Sequence, residues 1–257
     1  MLDGRQIEYG RASSMFLYFA LFSITLCPGG LEGATPSHLD KGKSLFEGNC
    51  SDSVAATEEG KREALKELQA AVVSDPQSAE AHHYLARIYL CLAAGKKGGE
   101  EFEEYQSEAL DELKLAVRLD PNNPIIHFDL AGALGQDRQG AIKELRTAVQ
   151  LFEKMPKRQL DTVSSGYADY YSESVWVLGR ALSEKSTTLQ EGITLMEKSI
   201  SLTRGPDDSN DRKRRLADIL AYRGRYGEAL KWYETLPHTP ETDEKMSEMR
   251  KKANKQY

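Results

Sequence analysis

The residues that could carry chemistry in this chain are its histidines and cysteines, five and three in 257 residues. His82 and His127 occupy equivalent places in two similar segments, so a metal ion could in principle bind between them. No carboxylate or thiolate accompanies them at a fixed short spacing, and ordinary packing histidines are therefore the better interpretation. The sequence predicts no metal site and no cofactor.

One segment raises the question of a haem. Residues 42–51 (GKSLFEGNCS) resemble the start of a c-type haem attachment site, but the second cysteine and the histidine of that site are absent after Cys50. The serine and glycine residues at 164–166 lack the spacing of a nucleophile elbow. We therefore predict a protein that is not an enzyme.

The elements that would position these residues show a repeat. Alanine and leucine recur at identical spacings before two Asp-Pro pairs, in segments 64–76 and 109–121. A second helical pattern containing a histidine follows each of them, at 79–89 and 123–134. A repeat of this period predicts stacked helical hairpins, each of which buries its apolar face against its neighbours.

These residues resemble the tetratricopeptide repeat. In that family the first helix of each hairpin carries a large residue, Leu, a small residue and an aromatic, and the second carries Ala, an aromatic or Leu, Ala and Pro. The clearest repeat matches this pattern at His82, Leu85, Ala86, Tyr89, Ala109, Leu113, Ala116 and Pro121. The resemblance implies an all-α fold, a right-handed superhelical solenoid of about four to five hairpins with a C-terminal capping helix.

The predicted organisation is an apolar leader at 1–34 and one repeat domain at 35–257. Its repeats span roughly 38–76, 77–121, 122–156, 170–206 and 207–237, and the capping helix spans 241–255. The first repeat is degenerate, and 157–174 is either an irregular connection or a helix. Residues 95–101 are predicted to form an enlarged turn, because they are rich in glycine and charge.

The amino terminus predicts export. The uncharged run 15–27 (MFLYFALFSITLC) follows Arg5 and Arg11, and its length suits the apolar segment of a signal peptide better than a membrane span. An uncleaved anchor is the alternative, and lipidation at Cys27 is disfavoured because Leu26 is too large for a lipoprotein signal. We expect a periplasmic, cell-envelope or secreted protein, with membrane contact only through an uncleaved leader.

The two remaining cysteines leave two possibilities open. Cys50 and Cys91 could form a disulfide in an exported protein. Two buried free thiols are the favoured interpretation, because nothing in the sequence places the two cysteines together.

The charge balance limits the class of partner. The chain has 34 basic and 40 acidic residues, a net charge of −6, which argues against binding to nucleic acid or to an anionic membrane. The basic cluster at 212–215 follows several aspartates, and this order is typical of the solvated start of a helix.

The resemblance also implies a groove, lined by the first helices of successive hairpins, that binds extended or helical peptides. Its residues, carried over position by position, are His83, Arg87, Phe128, Trp176, Arg180, Arg214 and Tyr222. The resemblance implies that Phe128 and Trp176 are partly exposed on this face, although packing of both between helices is the favoured interpretation. Aromatic and arginine side chains favour a peptide with an apolar anchor and an acidic group.

The expected function is a non-catalytic scaffold that binds a protein or peptide partner in an exported or cell-envelope setting. The alternative is a membrane- or lipid-anchored structural subunit of an envelope assembly complex, of the pilus or outer-membrane biogenesis type. The two-carboxylate clamp of chaperone-tail-binding family members is disfavoured, because Gly132 and Asp218 occupy two of its places.

Overall fold

The computed structural model describes residues 36–50, 56–96, 98–162 and 166–255. All regular elements within these ranges are helices, which confirms the predicted all-α class. In chain order they are α1 (His38–Asn49), α2 (Glu58–Ser74), α3 (Ala79–Ala94), α4 (Glu100–Leu119), α5 (Pro124–Ala133), α6 (Arg138–Lys154), α7 (Lys157–Leu160), α8 (Tyr167–Ser183), α9 (Leu189–Leu202), α10 (Pro206–Tyr222), α11 (Tyr226–Tyr233) and α12 (Pro240–Ala253).

The predicted leader at 1–34, with Cys27, lies outside the described residues. Among the helices that are described, none combines the length and the apolar character that a bilayer crossing requires.

The helices divide into two compact units, one with α1–α4 and one with α5–α12. In the first unit α1 pairs with α2, and α3 pairs with α4. In the second, the pairs are α5 with α6, α8 with α9 and α10 with α11, and α12 packs on α11. The described residues thus form five helical hairpins followed by a final helix.

Local chemistry explains where the helices begin and end. Helices α2 and α4 stop directly before Asp75-Pro76 and Asp120-Pro121, because the residue before a proline is disfavoured in helical conformation. The next helix in each case has a side-chain cap, since Ser78 accepts a hydrogen bond from the Ala81 backbone N–H and Asn123 from that of Ile125.

The predicted enlarged turn is wrong in extent. Helix α3 continues to Ala94 and α4 already begins at Glu100, so the extra residues of this repeat mostly lengthen the two helices. Buried Leu92 and Ala93 extend the packed face of α3. Glutamates in the first turn of α4 favour an early start, because the amino end of a helix carries partial positive charge.

The segment 157–174 combines both possibilities that the sequence left open. It holds the single turn α7 and the first residues of α8, which begins at Tyr167. In α12, Met246 and Met249 are buried against the fifth hairpin, and its other face is charged. Helix α12 therefore covers the apolar end of that hairpin.

Candidate partner-binding surface

The structure assigns the candidate residues to four helices in two units. His83 and Arg87 lie on α3 of the first unit. The second unit carries the rest, on α5, α8 and α10: Phe128, Trp176, Arg180, Arg214 and Tyr222.

In the first unit the two candidate residues, His83 and Arg87, pack against aromatic side chains of the same unit. His83 is buried, and its ring lies 5.8 Å from that of Tyr84. The Arg87 guanidinium lies 4.6 Å from the ring centroid of Phe46 and 5.3 Å from that of Tyr84. The guanidinium of Arg87 therefore lies against two aromatic rings of its own unit.

The assignment of Trp176 to an exposed groove is wrong, and packing between helices, the interpretation favoured from the sequence, is what the structure shows. Only 3% of this residue is exposed, and it packs in a cluster with Met196 and Leu216. The Arg212 guanidinium covers the ring at 5.7 Å. Trp176 is consequently a core residue that joins α8 to α10.

Arg212 is a structural residue that the sequence analysis missed. Its Nη1 donates to the Ser172 carbonyl oxygen at 3.1 Å, to Ser172 Oγ at 2.6 Å and to Ser199 Oγ, and its Nη2 pairs with Glu173 at 2.7 Å. Burial lowers the pKa of Arg212, and the neighbouring carboxylate of Glu173 opposes that effect. The sequence signal for this role was the pair Ser172 and Ser199, two polar residues at helix positions that are buried in the structure.

The other arginines of the basic cluster at 212–215 differ from each other in their ion pairs. Arg215 pairs with Asp211 one helical turn earlier at 2.7 Å. Arg214 is exposed and has no ion pair within the described part of the chain. The four basic residues therefore do not form one polyanion-binding patch.

Four of the candidate residues remain accessible in the second unit, and we call them the first-helix surface: Phe128, Arg180, Arg214 and Tyr222. Phe128 is half-buried and meets Tyr170 edge-on at 5.8 Å. Tyr222 is 86% exposed, with the Arg223 guanidinium 5.8 Å from its ring. Neither Arg180 nor Arg214 forms an ion pair within the described ranges.

The helix that carries Arg180 is held firmly at its carboxyl end. Arg223 donates to the carbonyl oxygens of Ser183 at 2.7 Å and Glu184 at 2.6 Å. Arg138 donates to the Ala181 carbonyl oxygen at 3.1 Å and pairs with the Glu184 carboxylate. Cations stabilise this end of a helix because its unpaired carbonyls carry partial negative charge.

The equivalent histidines have a structural role in both units. His82 Nδ1 lies 2.5 Å from Glu112 Oε2, and its Nε2 lies 3.0 Å from the Pro76 carbonyl oxygen. His127 repeats this geometry, with Glu144 at 2.6 Å and the Pro121 carbonyl oxygen at 3.0 Å. Each buried ring thus connects the two helices of its hairpin to the Asp-Pro turn, and neither nitrogen is left for a metal.

Replacing His127 with leucine should lower the free energy of unfolding by about 1–2 kcal/mol, because the Glu144 carboxylate and the Pro121 carbonyl would lose their hydrogen-bond partner. The matched control is His238→Leu, which removes an exposed histidine that also contacts a carboxylate, that of Asp243 at 2.7 Å. That change should cost less than about 0.5 kcal/mol. Urea denaturation of both variants checks the difference, and equal midpoints would contradict the role of His127.

No cluster of three or more possible metal-ligating side chains occurs among the described residues.

The favoured prediction that Cys50 and Cys91 are buried free thiols is wrong. Cys50 and Cys91 form a disulfide with a Cα–Cα distance of 5.9 Å. Cys50 directly follows α1 and Cys91 lies in α3, and these two helices are in contact. The proximity of α1 and α3 arises from the packing of successive hairpins, which the residue spacing alone does not show.

Comparison with known proteins gives matches at the level of structure. No protein-family model matches the chain, and no curated protein matches it. A solved structure of MamA protein aligns with a TM-score of 0.53 and 18% identity, covering 85% of this chain and 92% of MamA. Pseudomonas aeruginosa PilF aligns with a TM-score of 0.54 and 18% identity, covering 86% and 90%. Both are tetratricopeptide-repeat proteins.

This chain has the tetratricopeptide-repeat fold. A second MamA structure supports the same conclusion, with a TM-score of 0.51 and 19% identity over 77% of this chain and 93% of MamA. At these identities the likeness concerns the fold, so the first-helix surface has to be interpreted from its own residues.

Proposed function

We propose that this tetratricopeptide-repeat protein is a non-catalytic interaction scaffold, and that the first-helix surface of its second unit binds a peptide or protein partner. The observation that carries the proposal is that two arginines of this surface lack a carboxylate partner among the described residues. Arg180 and Arg214 have no ion pair within the described ranges, whereas Arg212, Arg215 and Arg225 of the same unit each pair with a carboxylate.

The chemistry of this surface indicates the kind of partner. Arginine binds carboxylates through charge-assisted hydrogen bonds, and exposed aromatic rings supply apolar contact area. Tyr222 and Val73 are the large apolar side chains that stay exposed in the described part of the chain. Tyr222 lies on the same helix as Arg214, and the Arg223 guanidinium is 5.8 Å from its ring. We therefore expect a partner segment that combines acidic and apolar residues.

We also infer that the protein is exported. The apolar leader pattern at 15–27 supports this setting. The Cys50–Cys91 disulfide supports it independently, because disulfides form and persist in oxidising compartments and are rare in the cytosol. Amino-terminal sequencing of the native protein tests the inference: we expect a mature terminus near residues 30–35, and a cytosolic protein that retains Met1 would contradict it.

Partner binding is tested by replacing Tyr222 with alanine. Loss of an aromatic anchor costs about 2 kcal/mol or more at an interface, so the affinity for the partner should fall roughly 30-fold. Arg180→Glu should slow association and make it less sensitive to salt, because it reverses a charge at the edge of the contact. The measurement is binding of the purified partner by surface plasmon resonance at two salt concentrations.

The control variant is Val73→Ala, which removes the other large exposed apolar side chain, 80% exposed on α2 of the first unit. It should bind the partner normally. If Tyr222→Ala binds like the native protein while Val73→Ala loses affinity, the first-helix surface is not the binding site.

A further inference from the structure

The two buried histidines, His82 and His127, face hydrogen-bond acceptors with both ring nitrogens. Nε2 of each ring lies 3.0 Å from a proline carbonyl oxygen. Nδ1 lies 2.5 Å from Glu112 Oε2 in the first unit and 2.6 Å from Glu144 Oε2 in the second. A carbonyl oxygen carries no proton, so Nε2 has to donate to it, and the Nδ1 of a neutral ring would then present a lone pair to the carboxylate. Each site therefore holds one proton more than a neutral ring and an ionised carboxylate supply.

This extra proton lies between Nδ1 and the carboxylate oxygen, and the ring is the stronger base of the two. An unperturbed histidine takes up a proton near about pH 6.5, and an unperturbed glutamate near about pH 4.3. The side chains of Glu112 and Glu144 are 21% and 15% exposed, so water reaches both carboxylates and favours their ionised form. The geometry thus describes an imidazolium that donates from both nitrogens to a carboxylate and a carbonyl.

Burial does not favour loss of the extra proton from these sites. Burial usually disfavours the charged form of a histidine. Here the imidazolium and the carboxylate together carry no net charge, whereas a neutral ring would leave the carboxylate unpaired and facing a lone pair. Removing one partner of a buried ion pair is strongly destabilising, because an uncompensated charge remains. The folded hairpin therefore favours the protonated ring.

Other titratable groups around His82 have interactions of their own. Asp75, in the turn between α2 and α3, accepts a hydrogen bond from a backbone N–H of that turn at 3.1 Å. Lys43 of α1 forms an ion pair with a glutamate of α3. Burial is the main cause that raises the pKa of Tyr89 on α3, and the Glu112 carboxylate adds to it, so this hydroxyl stays neutral. Glu112 of α4 is thus the carboxylate that contacts the ring.

His127 has equivalent surroundings in the second unit. Asp120, in the turn before α5, accepts a hydrogen bond from a backbone N–H of that turn at 3.3 Å. Tyr170 of α8 contacts α5 through the ring of Phe128. Glu144 of α6 is the carboxylate that contacts the His127 ring. The same arrangement of imidazole, carboxylate and proline carbonyl therefore occurs once in each unit.

We propose that the two histidine–glutamate pairs make the stability of their hairpins sensitive to pH. The imidazolium links the carboxylate to the Asp-Pro turn, and release of its Nδ1 proton to solvent base breaks that link. In the unfolded chain a histidine is neutral above about pH 6.5, whereas the folded pair keeps the proton. Folding then takes up one proton per pair, so the stabilisation is complete below that pH and falls as the pH rises. This inference is independent of partner binding.

The proton count is tested by a long-range ¹H–¹⁵N NMR spectrum of the purified protein at about pH 8, well above the ordinary titration range of histidine. The ¹⁵N shift of a ring nitrogen distinguishes N–H from a bare nitrogen. We expect both nitrogens of His82 and His127 to be protonated. His238 is the matched control, because it contacts a carboxylate but its side chain is 74% exposed, and its ring should be neutral. A bare Nδ1 in His82 and His127 would overturn the proposal.

Glu144→Gln separates the proton from the packing. Glutamine has nearly the same shape, and its amide N–H donates to a bare Nδ1, so the ring needs no second proton. In this variant Nδ1 of His127 should be bare at about pH 8, while His82 stays doubly protonated as an internal control.

Urea denaturation of the native protein and of Glu144→Gln measures the linked proton. The folding equilibrium constant of the native protein, divided by that of the variant, should fall about threefold to tenfold per pH unit between about pH 7 and pH 9, because one linked proton sets a limit of about tenfold. For Asp243→Asn, which alters the exposed pair of His238, the corresponding ratio should stay constant. A constant ratio for Glu144→Gln as well would mean that folding takes up no proton at His127, and would overturn the proposal.

Discussion

Removal of the Cys50–Cys91 disulfide is expected to lower the free energy of unfolding of the first unit by about 3 kcal/mol. The bond joins cysteines 41 residues apart, and a cross-link of this span removes much of the freedom of the unfolded chain. Both cysteines belong to the α1–α4 unit, so the bond constrains that part of the unfolded chain.

Urea denaturation of the Cys50→Ala/Cys91→Ala variant measures this effect. Val73→Ala is the control, because this side chain is 80% exposed on α2 of the same unit. That variant should unfold at the native midpoint. A double variant that also unfolds at the native midpoint would mean that the bond does not contribute to stability.

Replacing Gly192 with alanine is expected to destabilise the second unit by about 2 kcal/mol, although alanine is the better helix former. A Cβ atom at Gly192 would lie 2.6 Å from the Gly179 carbonyl oxygen and 2.7 Å from the Ser183 nitrogen. Both are backbone atoms of the paired helix region, so α8 and α9 would have to separate. Overpacking of this kind costs about 1–3 kcal/mol.

The control for this prediction is Gly227→Ala in α11, where a Cβ atom would meet nothing within 4 Å. This change should be neutral or stabilise the unit by up to about 1 kcal/mol, because alanine favours the helix. In thermal melts, the melting temperature of Gly192→Ala should therefore fall, whereas that of Gly227→Ala should rise or stay unchanged. Equal shifts to lower temperature would contradict the close contact of α8 and α9.

Much of the fold was predictable because its signals are local. Small and large apolar residues recur at helical spacing, and the Asp-Pro pairs stop the helices where the pattern predicts. The length of the turn predicted at 95–101 was overestimated, because composition alone does not reveal that α4 already begins at Glu100.

The environment of the candidate residues was less predictable because it depends on contacts between distant segments. Trp176 is buried because apolar residues of later helices, Met196 and Leu216 among them, pack around it. Arg87 is held by Phe46 of an earlier helix. Position in a repeat predicts which side of a helix a residue occupies, but a neighbouring helix decides whether that side is open. The side of α10 that carries Tyr222 is open, and this residue is 86% exposed.

Site-specific photocrosslinking in the native organism tests the central claim most directly. A photoreactive amino acid replaces Tyr222 in one strain and Val73 in another, two exposed positions in different units. We predict that position 222 crosslinks to one defined partner protein, identified by mass spectrometry, and that position 73 does not. The same partner captured equally at both positions, or none at position 222, would contradict partner binding by the first-helix surface.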